Sequence, residues 1–199
     1  NNRSGLSEAV KVALVKDGAF FDWLEENVES LSSLEPSALE EAVERSAILH
    51  ARHIALGGDP FETGSSRPLD FGHWTAHKME QLTDFELSHA DAVSVGVALD
   101  TLYSSRCGWL SEKDAWRAVE VLQRLQLPVW HESLEFRDEE GRRLVYRGLE
   151  EFREHLGGEL TVLMLEGVGQ GADRHSVDEL LHESCINELK EASQRGVPT

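Results

Sequence analysis

The stretch Ser88-His89-Ala90-Asp91-Ala92-Val93-Ser94-Val95-Gly96-Val97-Ala98-Leu99-Asp100-Thr101-Leu102 decides the fold class. Val93, Val95, Val97 and Leu99 alternate as a buried strand would. Ala92, Gly96 and Ala98, and the length of the run, point instead to a helix that is apolar on all sides and therefore central. Ser88 and Asp91 stand at capping-box spacing, which starts that helix beside His89.

Working outward from it, His73 to Leu82 reads as the preceding helix, entered through Pro68 and Gly72. Between Leu56 and Arg67, Gly-Gly-Asp-Pro and Thr-Gly-Ser-Ser form a loop that no helical pattern crosses, and loops of that length in a domain are often functional. Pro36-Ser37 opens an earlier helix running to about Ile54, with Ser37 as its cap and Glu40 as the capping-box acid. Leu6 to Glu29 carries apolar residues at helical spacing, broken into two short helices at Gly18.

Downstream, Ser111 with Asp114 caps a helix to Leu125, ended before Pro128. Arg143 to Tyr146 is expected to pair as a small hairpin strand, and Leu160 to Leu165 as one short strand. Gly148 to His155 and Val177 to Ala192 read as helices. The expectation is one all-α domain over residues 1–199, multi-helical with at most a minor β-hairpin.

The bulk numbers agree with a soluble globule: 199 residues, 40% hydrophobic, 28% charged and 5 prolines. No apolar run reaches the roughly 20 residues of a membrane span, and Asn1-Asn2-Arg3-Ser4 lacks the plan of a signal peptide. With 19 Lys+Arg against 37 Asp+Glu, the net charge of -18 argues against nucleic acid and anionic membranes as partners. A small phosphorylated ligand is still admissible, because a few cationic groups can reverse the potential inside one cleft. Cys107 and Cys185 have no paired-motif spacing, so neither a disulfide framework nor a Cys-rich zinc site is expected, and a cytoplasmic location fits. Gly167, Gly169 and Gly171 follow a short apolar run but precede polar residues, so they do not make a dinucleotide-binding turn.

Chemistry concentrates in the histidines. His73 and His77 lie four apart, on one face of one helical turn, and His89 follows in the same region. Neutral imidazoles suit a borderline cation such as zinc, with a carboxylate completing a three-ligand site that leaves one position open. Spacing alone favours His73 and His77 as the pair, while ordinary packing or capping roles for the same side chains stay open.

Three segments taken together are more specific. Leu6-Ser7-Glu8-Ala9-Val10-Lys11, Arg67-Pro68-Leu69-Asp70-Phe71-Gly72-His73-Trp74-Thr75-Ala76-His77-Lys78-Met79-Glu80 and Ser88-His89-Ala90-Asp91-Ala92-Val93-Ser94-Val95-Gly96 resemble three ordered blocks of the dehydroquinate synthase family of sugar phosphate cyclases. Glu151-Phe152-Arg153-Glu154-His155-Leu156-Gly157-Gly158-Glu159-Leu160-Thr161-Val162 is similar to that family's closing segment.

The resemblance implies a metal site formed by Glu8, His73 and His89, one residue from each block, for zinc or cobalt. It implies that His77 handles substrate or protons beside the ion, that Lys11 and Asp70 contact substrate and that Arg67 binds its phosphate; a role for His155 stays open. It also implies a lyase acting on a phosphorylated sugar with NAD, which would bind mainly to an amino-terminal α/β domain not contained in these residues, in a protein that pairs as a homodimer. Asp70 stands where the family usually has Asn, and His50 where it usually has a substrate-binding Lys. Those departures argue against dehydroquinate synthesis itself, and Gly58-Asp59-Pro60-Phe61-Glu62 followed by the Arg67 to Trp74 block resembles a divergent branch of the kind found in secondary-metabolite gene clusters. Two other classes fit the residues: a metal-dependent, NAD-linked alcohol dehydrogenase relative, and a non-catalytic helical interaction domain whose histidines only pack.

Overall fold

The computed structural model describes residues 3–56, 70–155 and 158–195. The chain opens with α1 (Ser4–Lys16), α2 (Gly18–Glu26), α3 (Val28–Ser32) and α4 (Pro36–Leu56). The break between the first two helices falls at Asp17, one residue before the glycine, where extended backbone lets the Asp17 carboxylate accept the amide of Phe20 at 3.0 Å and so cap α2. α4 begins at Pro36, whose missing N–H suits a first helical position. Ser37 therefore lies inside the first turn and donates to Glu35 instead of capping the helix. The expected loop from Leu56 to Arg67 lies, apart from Leu56, outside the described residues.

After that gap come α5 (His73–Leu82), α6 (His89–Arg106) and α7 (Glu112–Arg124). The central run is a helix, as its alanines and length predict: every side chain from Ala92 to Ser104 on α6 is buried. α6 packs against α1, α5, α7, a later helix α9 (Glu179–Arg195) and a strand β1 (Val162–Gly167). Helices buried all round need neighbours on every side, and these five elements supply them. Ser88 and Ser111 cap α6 and α7 by accepting the amides of Asp91 and Asp114.

The carboxyl-terminal part departs from expectation in two places. Arg143 makes a single bridge with Arg137 before a 3-10 turn at Leu144–Tyr146, so no hairpin strand forms there. Its guanidinium is drawn inward, donating to the Leu134 carbonyl at 2.7 Å and to Glu183 at 2.9 Å, which a solvent-facing strand residue would not do. The hairpin instead joins β1 to β2 (Gln170–Arg174), antiparallel, with Val162 opposite Arg174 and Leu165 opposite Gly171. The glycine-rich stretch is its turn: Gly169 takes φ 81° and donates its amide to the Leu14 carbonyl at 2.7 Å. Before the hairpin, α8 (Arg147–His155) packs on α5. No helix among the described residues is long and apolar enough to cross a membrane.

Candidate metal centre

Three elements that the core locks together carry the site. Glu8 lies in the middle of α1, His73 is the first residue of α5 and His89 is the first residue of α6. One ligand atom from each of Glu8, His73 and His89 can be chosen so that all three lie within 4.8 Å of one another. The imidazole centroids of His73 and His89 are 5.4 Å apart. His77, one turn along α5, is exposed, with its ring 5.3 Å from His73 and 5.9 Å from His89. A second group, His77, Glu80 and His89, also has one ligand atom from each residue within 4.8 Å of the others and shares His89 with the first.

The start of α5 is fixed by backbone geometry and by one buried carboxylate. Gly72 adopts φ 76°, a left-handed conformation that glycine enters freely. Its amide donates to Asp100 Oδ2 at 3.2 Å, and the indole N–H of Trp74 donates to Asp100 Oδ1 at 3.3 Å. Asp100 is fully buried in α6. Burial pushes its carboxyl upward, while the neighbouring His182 imidazole and the Trp74 and Gly72 donors oppose that shift. The residue flanked by these anchors is His73.

Electrostatics hold the His73 imidazole neutral. Burial foremost, then the Lys11 ammonium, drive its pKa down to about 3, with His77 and His89 adding to the effect and the Phe71 carbonyl opposing it. That carbonyl lies 3.2 Å from Nδ1 and can only accept, so Nδ1 carries the proton and Nε2 keeps its lone pair. Lys11, buried on α1, forms a 2.6 Å ion pair with Glu8 Oε2. Glu8 Oε1, by contrast, is closed to solvent and has no hydrogen-bond partner among the described residues. A carboxylate oxygen buried without a donor is costly unless a cation or another partner satisfies it. Two imidazoles and one carboxylate are the donor set of a three-ligand zinc site with an open fourth position.

The remaining sequence-derived candidates fall in different places. Asp70 lies half-buried in a 3-10 turn two residues before Gly72. His50 is exposed on α4, and Arg67 and the His155 side chain lie outside the described residues. Sequence reasoning passed over Glu80 and Asp100. Glu80 had a usable signal, since it lies seven residues after His73 and three after His77 on the same helical face. Asp100 showed itself only as one acid inside an apolar run.

A family model described as 3-dehydroquinate synthase C-terminal matches residues 5–142. A 3-dehydroquinate synthase of Halorhodospira halophila is 32% identical over 190 residues, covering 95% of this chain and 51% of the relative. One of Pseudomonas putida is 36% identical over 127 residues, covering 63% and 34%. The chain thus spans about half, or less, of the length of these relatives. Among solved structures, the 2-epi-5-epi-valiolone synthase of Streptomyces hygroscopicus, with NAD+ and Zn2+ bound, superposes with a TM-score of 0.84 at 28% identity, covering 96% of this chain and 51% of that one. A 2-deoxy-scyllo-inosose synthase, complexed with carbaglucose-6-phosphate, NAD+ and Co2+, superposes at 0.67 and 19% identity over 94% and 52% of the two chains, a likeness of fold.

Proposed function

Because this chain belongs to the 3-dehydroquinate synthase C-terminal family, we propose that it is the metal- and substrate-binding part of a sugar phosphate cyclase, a lyase that eliminates phosphate and closes a carbocycle. The observation that carries this reading is the convergence of a Glu8 carboxylate oxygen with His73 and His89 ring nitrogens, all within 4.8 Å of one another, on a side chain whose Oε1 is closed to solvent and without a hydrogen-bond partner among the described residues. These three residues would hold a divalent ion, zinc or cobalt. Such an ion supplies Lewis-acid polarisation of a substrate hydroxyl and of the oxyanions that follow. NAD would supply the transient oxidation and would bind to another part of the protein, since the described residues contain no strand, glycine-rich turn and helix in succession.

The chain's own side chains have separable tasks. His73, held neutral, offers Nε2 without first losing a proton. Lys11 offsets the negative charge of Glu8 through their ion pair and would contact a bound substrate. His77, exposed next to both ligand imidazoles, is positioned to take or return a substrate proton at a ring nitrogen. Arg67 would hold the substrate phosphate by its bidentate guanidinium. Asp70 would present a carboxylate where the family resemblance expects an amide, and His50 an imidazole where it expects an ammonium, so the substrate proposed is a phosphorylated sugar different from that of dehydroquinate synthase.

Cobalt(II) titration of the chain tests the metal reading. The visible absorption of a low-coordinate ion should rise to saturation at one equivalent and disappear in His73→Ala and His89→Ala. A wild-type chain that takes up no cobalt, or variants that keep the bands, contradicts it.

A further inference from the structure

His89 is the least constrained of the three proposed ligands: it opens α6, and its side chain is 50% exposed. Something must hold its ring if it is to meet Glu8 and His73. Its Nδ1 lies 3.2 Å from Oε2 of Glu80, whose own side chain is only 14% exposed. Glu80 projects from the face of α5 that carries His73 and His77, so the helix that supplies one ligand also reaches across to the next. A carboxylate can only accept a hydrogen bond, and a partner of that kind at Nδ1 selects the tautomer with the proton on Nδ1 and the lone pair on Nε2.

The two imidazoles are then held by the same device with different acceptors: the Phe71 carbonyl for His73, the Glu80 carboxylate for His89. Metal-bound histidines regularly donate their second ring N–H to such a group, which fixes ring rotation and raises ligand basicity. We propose that Glu80 is a positioning residue that orients His89 and sets its tautomer for the cation gathered by Glu8, His73 and His89. This inference rests on the metal reading above. The competing role is direct ligation in the His77, Glu80 and His89 group. Among the described residues, Glu8 has a carboxylate oxygen closed to solvent and without a partner, whereas Oε2 of Glu80 is engaged by His89, and this favours the positioning role.

Two measurements on Glu80→Gln and Glu80→Ala decide it. The first is 15N-detected NMR of the metal-free chain at about pH 8, above the ordinary imidazole range, with His89 assigned by its loss in His89→Gln. Wild type and Glu80→Gln, whose amide oxygen can still accept, should show the Nδ1–H tautomer, and Glu80→Ala should move toward the other. The second is zinc titration, with thermal melts confirming that each variant is folded. Stoichiometry should remain one ion per chain throughout, while Glu80→Ala binds about 10–100-fold more weakly and Glu80→Gln lies between it and wild type. An unchanged His89 tautomer in Glu80→Ala, or two ions per wild-type chain with one lost in Glu80→Gln, overturns the proposal. Failure of the metal reading appears elsewhere, as zinc binding indifferent to Glu8→Ala, and leaves the tautomer of the metal-free chain to decide the role of Glu80 alone.

Discussion

Gly96 of α6 lies so close to Gly72 that a β-carbon at position 96 would come within 2.0 Å of the Gly72 carbonyl oxygen, and one at position 72 within 2.6 Å of the Val97 amide nitrogen. This backbone contact is where α5 and α6 meet, one residue from His73 and two helical turns from His89. Gly96→Ala should therefore destabilise the fold by about 1–3 kcal/mol or more, since the obstructing atoms are backbone and cannot swing aside. It should also weaken zinc binding by displacing His73 relative to His89. Urea denaturation and zinc titration of the same variant check both effects, and a Gly96→Ala chain as stable as wild type contradicts the contact.

Asp100 accepts two hydrogen bonds where no water reaches it. Asp100→Asn keeps the shape but turns an amide N–H toward one of the two donors, so one buried group loses its partner. The expected cost is about 1–3 kcal/mol in denaturant midpoint experiments. A near-neutral result would mean that the start of α5 is held without that carboxylate.

The cap of α6 bears directly on His89, the residue that follows it. Ser88 accepts the amide of Asp91 at 3.2 Å, and Ser88→Ala should cost about 1 kcal/mol of stability. Ser111→Ala removes the matching cap of α7 far from the histidines, with a similar expected cost. Zinc affinity should fall in the first variant and not in the second, a comparison that separates general destabilisation from displacement of His89.

Alkaline pH should expose the cost of ionising a buried thiol. Burial pushes Cys185 of α9 up to about 12, above its unfolded value near 9, and pushes Cys107 upward as well. A raised folded-state value means that the stabilisation is complete below pH 9 and is lost as pH rises from there toward 12. Cys185→Ala should flatten the stability profile between pH 9 and 10, before Tyr103 and Tyr146, also raised by burial, begin to matter. Denaturant unfolding at half-unit pH steps supplies the profile.

Much of the molecule was legible because local signals and packing agree. Ser88, Ser111 and the apolar run of α6 say the same thing in sequence and in space. β2 was not legible: Gln-Gly-Ala-Asp-Arg has no apolar alternation, and it is a strand only because β1 and the Leu14 carbonyl give its hairpin a place to fold. Arg143 misled for a related reason, since its inward ion pair with Glu183 depends on a helix forty residues away. At the site, the three-block pattern singles out Glu8, His73 and His89 in the sequence, and the fold brings the three side chains together. Glu80 and Asp100 act through hydrogen bonds between helices, which no linear spacing displays.

Zinc content per chain, measured by elemental analysis after equilibration with one equivalent and desalting, is the most direct test of the metal centre. Wild type should retain about one ion, and Glu8→Ala/His73→Ala/His89→Ala none, with both chains folded by circular dichroism. Stoichiometric zinc surviving the triple change would contradict a site built from these three residues.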